Sequence, residues 1–98
     1  MHNGHMQIED IKLYIELLEP VIILLQKGDD EKAERVFEGI YEKYQREGEL
    51  NSDLGILMIE IDRYFIQKSG IVRLDDILND YHSLVRKVNM AQNDGNQE

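Results

Sequence analysis

The sequence predicts an all-α fold, an antiparallel up-down four-helix bundle. Three observations carry that expectation. Four stretches place apolar residues at the i, i+3, i+4, i+7 spacing of a helix face. Glycines and capping residues separate those stretches by only a few positions, and short connections favour antiparallel neighbours. The chain has 98 residues, the length of one domain, and a chain of that size buries roughly 65% of its unfolded surface without disulfides or metals.

Residues 1–6 (MHNGHM) have no helical period and read as a cloning remnant ahead of a native start at Met6, which leaves residues 7–90 as the bundle domain. His2 and His5 belong to that remnant. The first helix spans 8–27. Glu9, Lys12, Glu16 and Glu19 share a narrow face, and Ile11, Tyr14, Ile15, Leu17, Leu18, Ile22 and Leu25 cover a wide apolar arc suited to two neighbours. Pro20 removes one helical hydrogen bond, so the helix either kinks near Glu16–Pro20 or ends at Glu19 and restarts with Pro20 in its first turn. Gly28 stands where a glycine ends a helix.

Asp29 or Asp30 caps the second helix, and Glu31 suits the positive end of its dipole. Ala33, Val36, Phe37, Ile40, Tyr41 and Tyr44 form a single stripe. Gly39 costs this helix ~1 kcal/mol relative to alanine, and a close helix approach would account for it. Gly48 ends the helix, and Asn51 or Ser52 caps the next.

The third helix, 52–68, is apolar on two sides. Leu54, Leu57, Met58, Ile61, Tyr64 and Phe65 make one face, and Ile56, Ile59 and Ile66 make a second on roughly the opposite side. That second stripe is covered either by helix 1 with the Ile71-Val72 connector or by a partner, and we favour the first. Ser69-Gly70 closes the helix. Asp75 caps the fourth helix with Leu74 as a hydrophobic staple, and Ile77, Leu78, Tyr81, Leu84, Val85 and Val88 form its buried face. The apolar period stops at Met90, so residues 91–98 read as a disordered tail.

Twenty acidic and eleven basic residues give a net charge of −9, which argues against binding nucleic acid, where Lys and Arg must neutralise phosphates. The same charge disfavours an anionic membrane surface. No apolar run approaches the ~18 residues of a transmembrane span, and no export signal is visible, so a cytoplasmic setting is expected. The chain has no cysteine, no Glu-x-x-His pair, no glycine-rich phosphate loop and no EF-hand spacing. No enzyme, cofactor or metal is therefore expected. His82, with Asp80 and Arg86 near it on one helix, reads as an ordinary surface histidine rather than a general base. The five tyrosines fall on or beside apolar stripes, as core residues or as the lining of a peptide groove.

Three segments, RVFEGIYEKYQ, ILMIEIDRYFIQKSGIVRLDDI and ILNDYHSLVRKV, together spanning about residues 33–88, resemble the second, third and closing helices of the immunity proteins of pediocin-like (class IIa) bacteriocins, the enterocin A immunity-like family. Leu74-Asp75 stands where that family often has a proline, and helix 1 is more hydrophobic. The resemblance implies a cytoplasmic four-helix bundle that protects a producer cell by engaging a bacteriocin–receptor complex. It points to Tyr81, His82, Arg86, Lys87 and the tail beyond Val88 as contacts. The helix 3 stripe adds Ile56, Ile59 and Ile66 as partner-binding candidates. Two other readings use the same stripe: a small acidic module, such as an export chaperone or phage-type inhibitor, that holds an amphipathic helix, and a homodimer paired through the isoleucines.

Overall fold

The computed structural model describes residues 8–47, 52–67 and 72–96. They form α1 (Ile8–Lys27), α2 (Asp30–Glu47), α3 (Ser52–Gln67) and α4 (Leu74–Asn96). The expectations for residues 1–6, Gly48, Asn51, Ser69-Gly70 and Ile71 lie outside the described residues.

α1 runs through Pro20 without a break. Pro20 and Glu16 are exposed, so the carbonyl freed by the proline lies on the side that water reaches. Gly28 ends the helix at φ 86°, a left-handed conformation that a Cβ disfavours. Its N–H donates to Leu25 O at 3.1 Å and that of Asp29 to Leu24 O at 2.9 Å, the paired bonds of a Schellman motif. Asp29 is the cap of α2: its carboxylate accepts from Lys32 N at 3.3 Å and its carbonyl from Ala33 N at 3.1 Å.

Four contacts give the topology. The Tyr14 hydroxyl, early in α1, donates to Glu47 in the last turn of α2. Phe37, early in α2, lies 5.8 Å from Phe65, late in α3. Asp53, early in α3, pairs with Lys87, late in α4, at 2.9 Å. Ile8 and Ile11 of α1 line a common hollow with Val88 and Ala91 of α4. Each sequential pair is thus antiparallel, and α4 returns to α1. The result is an up-down bundle with α1 diagonal to α3. Among the described residues α2 and α3 are the least closely packed of the four adjacent pairs.

One core fills the centre. α1 supplies Tyr14, Leu18 and Val21, α2 Ala33 and Phe37, α3 Leu54, Leu57, Met58 and Ile61, and α4 Ile77 and Leu84. Each of the larger aliphatic or phenyl side chains contributes about 1.5–3 kcal/mol by leaving water. Val72 packs against this core from the connector.

Several expectations need correction. Asp75 does not cap α4. The cap position belongs to Arg73, whose carbonyl accepts from Asp76 N at 3.0 Å and Ile77 N at 3.2 Å, while the Asp76 carboxylate accepts from Arg73 N at 3.4 Å. This is the reach-back half of a capping box, with the acid at the third helical position. Val72, not Leu74, then occupies the staple position opposite Ile77. The helix also continues to Asn96, through most of the segment that composition assigns to a disordered tail. Extending an existing helix adds one hydrogen bond per residue fixed, so it needs no apolar stripe. Val36 is exposed at the margin of the α2 stripe. Gly39 is exposed too, and a Cβ built there meets nothing within 4 Å, so no close helix approach explains it.

The two glycines therefore respond oppositely to alanine. Urea denaturation is expected to show Gly28→Ala losing about 1 kcal/mol to left-handed strain and Gly39→Ala gaining up to about 1 kcal/mol of helix propensity. Equal signs would contradict the two assigned geometries.

Candidate functional site

The second stripe of α3 faces solvent. Ile56 is 54% exposed, Ile59 46% and Ile66 68%. Its cover by α1 and the connector, the favoured expectation, is not what the fold provides. α1 lies diagonally across the core and meets the Leu54–Phe65 face instead, so it cannot reach the outer side of α3. Isolated exposed apolar residues are ordinary, but three in register on one face of a helix whose other face is already core are informative.

The stripe borders the loosest seam. Tyr41 and Tyr44 of α2 and Gly55, Ile56 and Ile59 of α3 line an apolar hollow of about 280 Å3 between these helices. Tyr41 is half-buried and stacks on Phe37 at 5.3 Å between ring centroids. Glu38, Glu42 and Asp62 border a second, wider depression of about 400 Å3 that shares Tyr41 and includes Arg35 and Gly39. Burial pushes the Asp62 carboxyl up, Arg63 pulls it back, and Glu34 adds to the rise.

On its other flank Ile56 shares a small hollow of about 110 Å3 with Asp53, Asp80, Ser83 and Lys87. Lys87 is already engaged by Asp53, an exposed pair worth ~0–1 kcal/mol. Above it lies a feature that the sequence reading passed over. Glu60 projects from α3 towards Asp80 and Asp76 of α4, and its buried Oε1 has no hydrogen-bond partner. Loss of water, a hydrogen bond with Asp80 and the charges of Asp80 and Asp76 push the Glu60 carboxyl up to about 7. A lone acid inside the apolar run ILMIEI was the available signal.

The α4 candidates separate. Tyr81 is only 7% exposed, and its hydroxyl donates to Ile15 O at 3.2 Å, so it ties α4 to α1 and offers no docking surface. Its place on the predicted buried face outweighs its proximity to His82. His82 and Arg86 are exposed one helical turn apart, on a different face of α4 from the Asp80–Ser83–Lys87 edge that adjoins Ile56. The structure therefore joins Ile56 and Ile59 with Tyr41, leaves Ile66 exposed further along the same helix, sets Lys87 at one margin, and leaves His82 and Arg86 elsewhere.

Among the described residues no three His, Cys, Asp or Glu side chains gather to hold a metal ion, and no helix is long and apolar enough to cross a membrane.

Two expectations follow from this geometry. Folded Glu60 holds a proton that the unfolded chain releases near 4.5, so its share of stability is full below that pH and is lost as pH rises through about 7. Glu60→Gln should therefore raise stability by about 1 kcal/mol at pH 8, after discounting for solvent screening, and converge with the parent chain near pH 4. Urea titrations at both pH values measure this, and an equal effect at each would contradict it. Tyr81→Phe should cost about 1 kcal/mol through the lost hydrogen bond to Ile15 and leave partner binding unchanged. Compared with family models, curated proteins and solved structures, the chain matches none.

Proposed function

We propose that this chain is a non-catalytic binding module whose outer α3 face holds a protein partner. The single observation that carries the reading is the exposure of Ile56, Ile59 and Ile66 in one row on a helix whose opposite face is fully used by the core. Burying such a row on binding releases ordered water from apolar surface and needs no chemistry from the site. A cytoplasmic setting suits the absence of any apolar segment long enough for a membrane span among the described helices.

A more specific form of the reading is an immunity-type protective protein that engages a bacteriocin–receptor complex at the inner membrane face. Its support is the spacing of the segments now seen as α2, α3 and α4, together with exposed His82 and Arg86 on the outer face of α4. Burial of Tyr81 removes one of the contacts that the resemblance implies.

A photo-crosslinking residue at position 59 tests the general form in cells of the source organism, with position 23, an exposed isoleucine on α1, as control. A discrete adduct from 59 and none from 23 is expected. Identical patterns from both would overturn the reading. For the specific form, expression in a sensitive strain should raise the peptide concentration needed to kill. Unchanged killing by a panel of pediocin-like peptides would eliminate the immunity form and leave the binding module standing.

A further inference from the structure

The α3 row has a shape that limits what can lie on it. From Ile56 to Ile66 a helix rises about 15 Å, or close to three turns, and the row is straight because its members are three and seven residues apart. The groove beside it is formed by two antiparallel helices, and it runs along their axes. Its most apolar part, the hollow lined by Tyr41, Tyr44 and Gly55, opens next to Ile56 and Ile59. A partner helix laid parallel to the seam would place side chains at i, i+3, i+7 and i+10 along the same ~15 Å, with one large side chain at the hollow.

Charge selects the sign of that helix. On the α2 side the groove is edged by Glu38 and Glu42, and α3 adds Asp62. On the α4 side Asp53 and Asp80 stand beside Ile56. Among the described residues the cations on this face are Arg35, Arg63 and Lys87; Lys87 is held by Asp53, and Arg63 acts on Asp62. Asp62 still has its carboxyl pushed up by burial and by Glu34, so a further cation there would be favourable. The whole chain carries −9. A second copy fits less well by the same measure, because a two-fold pairing through this face would bring together two surfaces that both carry Glu38, Glu42 and Asp62.

We propose that the α2–α3 seam is the berth of a basic amphipathic helix from another protein. Its apolar face rests on Ile56, Ile59 and Ile66, one large apolar side chain enters the Tyr41–Tyr44–Gly55 hollow, and flanking Lys or Arg meet Glu38, Glu42 and Asp62. This deepens the binding-module reading and rests on it. The five-helix assembly so formed completes the side of the bundle where packing is loosest.

The test uses the full chain and three labelled peptides of equal length: an amphipathic Leu/Lys helix, its Leu/Glu counterpart, and a shuffled Leu/Lys sequence without a helical stripe. Fluorescence anisotropy should show saturable binding of the first, with the other two about tenfold weaker or worse. Amide shifts in two-dimensional NMR should map to α2 and α3 around Tyr41, Ile56, Ile59 and Ile66. Ile59→Asp should abolish binding while the melting temperature holds, and Glu42→Gln with Asp62→Asn should weaken it about fivefold and flatten its salt dependence. Equal binding of the Leu/Glu or shuffled peptide, or shifts centred elsewhere, would overturn the proposal. So would a dimer in sedimentation that Ile59→Asp dissolves, since the occupant would then be a second copy. A cross-linked partner at position 59 with no basic helix would also overturn it while preserving the binding-module reading.

Discussion

Each helix in a square four-helix bundle can bury one side, and α3 has two apolar sides. The rest of the structure depends on that mismatch. Leu54, Leu57, Met58, Ile61 and Phe65 take the inward position, where they meet side chains from the other three helices. Ile56, Ile59 and Ile66 must then point outward, because no fifth element of the described chain crosses the outer side of α3. A bundle that exposed the Leu54 face and buried the isoleucines would lose five core side chains in exchange for three. Burial area alone decides the orientation.

Polar features near the row carry costs that folding does not require. Glu60 holds a buried oxygen without a partner and faces two acids, an arrangement that lowers stability at neutral pH. Gly39 weakens an exposed helical position beside the acidic depression with no neighbour to justify it. Sequences that depart from local rules tend to do so near functional surfaces, and both departures lie on α2 and α3 or at the α3–α4 edge. The acids along this surface set its sign, and they lie closest to the seam with the least packing.

Much of this was legible in the sequence. The bounds of α1, the glycine stop at Gly28 and the core stripes follow from spacing and from the chemistry of helix ends, which are local, whereas the choice of Asp29 over Asp30 as the cap is made only by the folded backbone. Tyr81 was placed correctly on a buried face yet also named as a contact, because spacing gives a side chain's direction and not the partner of its hydroxyl. The cover of the isoleucine row was misjudged for a different reason. Whether α1 lies beside α3 or across from it is set by the order in which helices close the square, which apolar stripes alone do not encode. The start of α4 went to Arg73 and Asp76, since several adjacent acids offer equivalent caps and the packing of Val72 and Ile77 selects the register. Glu60 was missed because an acid between isoleucines reads as surface until the opposing Asp80 is placed.

The most direct test of an outward, partner-free row in the isolated chain is the stability of a triple variant, Ile56→Gln, Ile59→Gln and Ile66→Gln, followed by urea denaturation. Glutamine is at least as good a helix former as isoleucine, so an exposed row should leave the unfolding free energy within about 1 kcal/mol of the parent chain and the transition cooperative. A loss of several kcal/mol, or a chain that no longer folds, would show that the three isoleucines belong to the core.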